Sequence, residues 1–552
     1  QQVPMTLGLD ITIPRESNRV PTMPNEAKTP AESRSSPESP SGRNALIRVF
    51  WAGLGLFGAI AVPYLIPTLY FLRPWVPGGE YVPFWNIVGR ELLGEGKILQ
   101  AEQEAMAAAR LEVLTPALPV VHTEPTEPAA ERFPPYADNL RIEKPAFGIE
   151  PPEALDHFYE KLALADLGIP KAIARAGHWG DSVLAIDGIT SGIRRRLQTR
   201  FGDAGHGFHL MDRYDPGYRQ RGIEYLRAGG WYSCFIVQQC SKNEPFYGYG
   251  GLIARSGGGG MSTWRTPKEG FGSEVSFFEL WFGRQTKGGK VEIVVDKDPP
   301  IIVDTRGKDR EDGWYAVTVP RGGHRFRVRA AGGGDVRLYG VVLENDGPGV
   351  VWDGMVMIAG STRQMRTQDA THISHQVRHR NLDLIVFLFG GNDMKRNHLD
   401  LKESMEPYYE EYGEAIRKYR AGKPTMSCLV LSMTDRGERT VQGTVVSRKF
   451  AKQLSKAQRE VAKRNGCGYF DTYEATGGDG SIAKWYRANP PLISPDLGHP
   501  SAAGHEYIAS LVANAILHGY QQYRDRMAGS PLPTLEASDD PKKEAKDPLS
   551  GP

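Results

Sequence analysis

AGHWGDSVLAIDG, residues 176–188, is the stretch on which the reading of this chain turns. An apolar run from Ala172 reaches Gly180, and Asp181 and Ser182 follow at once. Read as an ordinary turn, Gly-Asp-Ser needs no further explanation, because turns favour all three residues. Read as the end of a buried strand, it displays Ser182 at the edge of a sheet. Downstream pattern chooses between the two. LDLIVFLFGG (382–391) is a continuous apolar run ending in glycines, the mark of a strand covered on both faces. A helical pattern at 405–420, the apolar run SCLVLS (427–432), a second helical pattern at 448–466 and GYFDT (468–472) come next. Strand and helix in alternation predict a flavodoxin-like, doubly wound parallel α/β sheet with helices on both faces. An amphipathic helix at 500–523 closes it. In such sheets reactive groups gather beyond the carboxyl ends of the strands, where Ser182, Gly360 and Asn392 all fall.

The sheet is expected to begin at 149, break off at 205 and resume at 350. The intervening 206–349 is glycine-rich and carries short β-type runs such as VSFFELWFG, KVEIVVD and VRLYGVVLE, which predict an inserted antiparallel β-sandwich. Trp231, Trp264, Trp281 and Trp314 within it could form either a stacking platform for sugar or its core. The Gly257–Gly260 run lacks the Gly-Lys-Ser/Thr of a phosphate loop and reads as a connector.

Composition narrows the function. With 67 basic against 65 acidic residues in 552, the charge balance excludes a nucleic-acid polyelectrolyte partner. Residues 1–44 read as a disordered tail, and 529–552 as another. VFWAGLGLFGAIAVPYLIPTLYFL (49–72) holds no charge, and as a helix it would be roughly 36 Å long, enough to cross a bilayer. We therefore expect an inner-membrane, single-pass anchor over 45–73. Arg34, Arg43 and Arg48 precede it against Arg73 and Arg90 after it, a mild excess that favours an N-terminus in the cytoplasm and the remainder in the periplasm or outside the cell. A helix at 90–113 and a Pro/Glu-rich spacer are expected within 74–148. Cys234 and Cys240 are close enough to pair in an exported domain, whereas Cys428, in an apolar run, reads as a small buried hydrophobe.

A serine hydrolase needs a nucleophile, a base, a group orienting the base, and donors for the oxyanion. Ser182 at a strand-to-helix turn would gain a helix N-terminus beside its oxygen. In SPDLGHPSAAGHEYI (494–508), Asp496 and His499 are spaced so that one tight turn sets the carboxylate against the ring. FGGND (389–393) supplies Asn392 after a buried strand, and WDGMVMIAGS (352–361) supplies Gly360.

These four segments, in this order, resemble the SGNH (GDSL-type) hydrolases, over roughly 165–205 and 350–520. The resemblance implies that Ser182 is the nucleophile and that its N–H forms an oxyanion hole with Gly360 and Asn392. It implies also that His499 is the base, that Asp496 orients it, and that no metal or organic cofactor takes part. HWGDS followed by RFGDAGHGF, with a β-rich insert before the glycine block, looks like the branch containing bacterial peptidoglycan O-acetylesterases, where the insert is a carbohydrate-binding-like module. The expected function is a membrane-anchored, exported esterase that removes acetyl groups from an envelope polysaccharide. An O-acetyltransferase using the same residues, and a non-catalytic glycan-binding module, are the alternatives.

Other residues read as bystanders. His505 falls on a helix face and His178 reads as a packing residue with a satisfied ring. His372, His375 and His379, without a carboxylate cluster in the local sequence, read as a solvated helix face. Arg363 and Arg436 could touch a charged substrate or make surface salt bridges.

Overall fold

β1 (Ile173–Gly180) is buried from Ala174 to its end and lies between two parallel neighbours, β2 (Gly349–Val356) and β3 (Leu384–Leu388). β4 (Ser427–Leu431) and β5 (Gly468–Phe470) continue the sheet in parallel, giving the order β2-β1-β3-β4-β5. The structure, a computed structural model, describes residues 132–533 except 216, 239–243 and 394–403, together with Trp51, Val62 and Leu65. Helices α1 (Asp156–Asp166), α2 (Gly188–Phe201), α3 (Ala370–Arg380), α4 (Glu406–Arg420), α5 (Lys449–Arg464) and α6 (Ala502–Met527) accompany the sheet. Each strand is a run of buried apolar side chains because crossover helices cover both faces. Gly180 is in register with both Val356 and Leu388, so β1, β2 and β3 end together. That common edge carries the loops that hold Ser182, Gly360 and Asn392.

The chain between β1 and β2 forms two antiparallel sheets. One is built around Val275–Arg284 and Val336–Glu344, the other around Met261–Arg265 and Arg325–Gly332. Phe278 and Phe326, one from each, stack with ring centroids 4.7 Å apart. The first strand of this region, Gly205–Leu210, pairs with Val336–Glu344, while its Phe208 N–H donates to Asp353 of β2 at 2.9 Å. Residues 118–552 accordingly group as one compact unit. Trp264 and Trp281 are fully buried and Trp231 nearly so, which makes them core; half-buried Trp314 stacks on His379 at 3.9 Å.

Several expectations need correction. Part of the anticipated spacer belongs to the folded body: Phe133 and Tyr136 are buried against Tyr523 and Tyr520 of α6. Nor is the C-terminal tail free from 529, since the Phe133 N–H donates to Ser530 O at 2.9 Å and Arg132 bridges to Pro531. Two aromatics in a Pro/Glu-rich stretch found apolar surface on the last helix, which local composition cannot show. Cys428 is not a free hydrophobe but forms a disulfide with Cys467 on β4 and the residue before β5, and Cys234 is disulfide-bonded as well. The segment 45–73, the 90–113 helix and the tails 1–44 and 534–552 lie outside the described residues, Trp51, Val62 and Leu65 excepted. Among the described residues no helix is long and apolar enough to cross a membrane.

Candidate active site

β1 stops at Gly180 because nothing larger fits: a Cβ there would lie 2.6 Å from Leu388 O. Asp181 then caps a short 3-10 turn, Ser182–Asp187, accepting the Val183 N–H at 3.0 Å with one carboxylate oxygen. Its other oxygen accepts the Gly391 N–H at 3.1 Å, so one buried carboxylate braces the serine turn to the Gly-Gly-Asn loop after β3. Local sequence marks Asp181 only as a turn residue; its second bond spans the sheet edge. The α-helix expected at Ser182 begins instead at Gly188, after a kink in which Ile186 and Asp187 adopt φ of 59° and 55°. Such angles are costly for side chains other than glycine and persist only when surrounding bonds impose them. Here the Ile186 N–H donates to Gly217 O at 2.8 Å, and the Asp187 carboxylate receives Arg194 at 2.7 Å and the Arg221 N–H at 2.9 Å. Burial opposes the charge on Asp187, but Arg194 outweighs it and holds the carboxyl below its ordinary range. As the first residue of the turn, Ser182 has a backbone N–H without an intrahelical acceptor.

The remaining residues converge on this turn. Ser182 Oγ lies 2.7 Å from His499 Nε2, and His499 Nδ1 lies 2.5 Å from Asp496 Oδ2. The other oxygen of Asp496 accepts the N–H groups of Gly498 and His499 at 3.0 and 3.1 Å. Burial would raise the Asp496 carboxyl, but the hydrogen bond to the His499 ring and these backbone bonds hold it below the usual carboxylate value. The carboxylate is therefore ionised when an imidazolium forms beside it. His499 itself is 42% exposed on its side chain, open to an incoming ligand.

Asn392 Nδ2 donates to Gly360 O at 2.8 Å, which leaves its second N–H for a ligand. Gly360 departs from expectation. Its N–H closes a turn onto Met357 O at 2.7 Å and is not directed at a ligand. Its lack of a side chain is nonetheless required, because a Cβ would stand 2.6 Å from Met357 Cβ.

The bystanders divide. His178 is buried, but neither ring nitrogen finds a partner, and burial pushes its pKa down to about 3. His505 is buried against Gly188, not solvated, with its pKa pushed down to about 4 by burial and then by Arg221. His372 and His375 meet Asp312 at 2.9 and 3.0 Å and His379 meets Glu279 at 3.1 Å, so this helix face is an interface to the inserted sheets. Those carboxylates are 60 to 100 residues away in sequence, beyond any local pattern. Arg436 is buried rather than on the surface. Among the described residues no group of His, Cys, Asp or Glu is arranged to hold a metal ion.

Residues 312–507 match the model of the GDSL-like lipase/acylhydrolase family. Through this part, the chain is similar to that family. The matched stretch holds Gly360, Asn392, Asp496 and His499, whereas Ser182 precedes it, on the far side of the inserted sheets. Among solved structures, a peptidoglycan O-acetylesterase matches with a TM-score of 0.53 and 19% identity, over 65% of this chain and 94% of its own. A family two carbohydrate esterase from Cellvibrio japonicus matches at 0.23 and 10%, over 55% and 98%. An acetylxylan esterase from Geobacillus stearothermophilus matches at 0.23 and 20%, over 30% and 73%. No curated protein matches the chain. The GDSL-like hydrolase fold is thus carried by β1–β5, and its inserted region is what separates the serine from the rest of the site.

Proposed function

We propose that this GDSL-like hydrolase is a carbohydrate O-acetylesterase, tethered to the membrane through residues 45–73 and exported, acting through an acyl-enzyme on Ser182. The observation that carries the reading is the unbroken chain Ser182–His499–Asp496, at 2.7 and 2.5 Å, at the carboxyl edge of a parallel sheet. His499 Nε2 takes the hydroxyl proton as Ser182 Oγ bonds to the acetyl carbon. The oxyanion so formed is met by the Ser182 N–H and the second Asn392 amide N–H, and Asp496 balances the imidazolium. Collapse breaks the bond to the sugar oxygen, which receives the proton from His499. A water then gives its proton to His499 while its oxygen attacks the acyl-enzyme, and acetate leaves as Ser182 recovers its proton.

The peptidoglycan O-acetylesterase with the same fold motivates the choice of ester. Disulfide bonding at Cys428, Cys467 and Cys234 suits an oxidising compartment, in keeping with export past the uncharged 49–72 stretch. The test follows acetate release from 4-nitrophenyl acetate and from O-acetylated peptidoglycan by the full chain, beside Ser182→Ala and His499→Ala. Both variants should lose ~10³-fold or more in kcat with unaltered melting. Turnover that survives Ser182→Ala overturns the reading, and acetyl passing to an added sugar instead of water would favour a transferase.

A further inference from the structure

Arg436 follows β4 on the same sheet edge and is 9% exposed. Its guanidinium fills the space between two glycines: a Cβ on Gly391 would lie 2.1 Å from Nη2, and one on Gly498 would lie 3.3 Å from Nη1. The residues after those glycines are Asn392 and His499, so this cation stands at the backbone between the oxyanion donor and the base. Among the described residues its side chain makes no hydrogen bond or ion pair, and Nε is fully buried without a partner.

Among the described residues no carboxylate lies within ion-pair distance of Arg436, and three of the nearest hold other groups. Asp435 accepts Ser447 at 2.5 Å and the Ile482 N–H at 3.1 Å; Asp181 holds Val183 and Gly391; Asp496 holds His499. A buried charge is costly unless something pairs with it, and a solitary one next to reacting groups points to a counter-charge that arrives with the ligand. The space that Arg436 shares with Asp181 and Val183 is only about 10 Å³ and holds at most a water. Nη2 and Nη1 stand beside Gly391 and Gly498, so an anion that meets them lies next to Asn392 and His499.

The neighbouring surface carries further cations, with Glu438 of the same hairpin 3.9 Å from Arg448. A hairpin, Gly437–Arg439 with Val445–Ser447, rises directly from Arg436, and its Gly437 N–H is tied to Leu497 O of the base loop at 2.8 Å. Arg439 on it has no carboxylate partner among the described residues and bonds Tyr486 Oη at 3.0 Å. Lys484 and Arg487 flank that tyrosine on the short helix Ser481–Arg487.

We infer that Arg436 is a specificity-determining residue that binds a carboxylate carried by the acylated sugar near the scissile ester. A planar guanidinium suits that group better than an isolated hydroxyl, because it can donate two parallel bonds. The inference rests on the esterase reading and names its substrate class: acetylated acidic sugars over neutral ones.

The test compares acetate release by the full chain from O-acetylated methyl glucuronoside and from its uncharged uronamide. The wild type should prefer the acid by ~10-fold or more in kcat/KM. Arg436→Gln should bring that ratio to about one, chiefly by raising KM for the acid, and Arg436→Lys should recover part of it. No preference in the wild type, or an equal loss on both substrates in Arg436→Gln, overturns the inference and leaves Arg436 as a brace for the two loops. Melting temperatures exclude misfolding as the cause. If the wild type cleaves neither these nor 4-nitrophenyl acetate, the esterase reading fails on its own. Calorimetric binding of unacetylated methyl glucuronoside to Ser182→Ala then decides: binding lost on adding Arg436→Gln upholds the anion site, and no binding to Ser182→Ala itself overturns it.

Discussion

Arg380 and Arg436 are two buried arginines with opposite surroundings. Arg380, at the end of α3, donates to both oxygens of Asp353 at 2.7 and 2.9 Å and meets Glu344 at 2.7 Å. Glu344 also receives Arg175 at 2.9 Å, so two cations and two anions close a network between β1, β2, α3 and the inserted sheets. Burial disfavours the charge on Glu344, but Arg175 and Arg380 overcome it and keep the carboxyl below its usual range. Arg436, 9% exposed against 4% for Arg380, has none of these partners among the described residues. The difference separates charge that assembles the fold from charge held ready at the sheet edge: the first is balanced inside the chain, the second is not.

Breaking the balanced set should have the larger cost. Arg380→Leu leaves Asp353 and Glu344 under-compensated and should lower stability by about 3–5 kcal/mol, read as a shifted urea midpoint. A loss below about 1 kcal/mol would erase the contrast with Arg436. Asp181 tests a third case, a buried carboxylate paired only with backbone N–H groups. Asp181→Ala frees the Gly391 loop from the serine turn and should reduce kcat by ~10²-fold, with KM for 4-nitrophenyl acetate little altered.

Acid should act mainly on buried histidines with an unpartnered ring nitrogen. His178 and His209 have folded pKa values pushed down to about 3 by burial, against about 6.5 in the unfolded chain. Below pH 6.5 the unfolded state binds protons that the folded state refuses, so stability is complete above that value and falls toward pH 3. Each residue should contribute up to about 1.4 kcal/mol per pH unit in that window. His178→Leu should flatten the fall of melting temperature between pH 6.5 and 4, and an unchanged slope would place the effect elsewhere. Smallest of all should be Arg436→Met. Removing an unpaired buried cation should shift stability by no more than about 1 kcal/mol in either direction.

Legibility in the sequence followed the range of the interactions. The parallel strands at 384–388, 427–431 and 468–470 and the helices between them were readable because burial on both faces and helical periodicity are written in adjacent residues. Ser182, Asn392, Asp496 and His499 were readable as residue types at strand ends and turns. The Asp496–His499 pair was readable from its spacing, but the meeting of Ser182 with His499 was implied only by family resemblance, because that 2.7 Å contact joins positions 317 apart. The same limit hid the carboxylates beside His372 and His379, the docking of Phe133 on α6, and the pairing of Cys428 with Cys467.

By itself, then, the sequence determined the class of sheet, the succession of strands and helices along the chain and the residues at its reactive edge, since these depend on local pattern. Only the tertiary structure decided that the Gly360 N–H is already spent, that Asp181 ties two loops together and that Arg436 stands uncompensated between them. Those facts depend on which distant groups share a small volume, and hydrogen bonding and charge balance are settled there and nowhere along the chain.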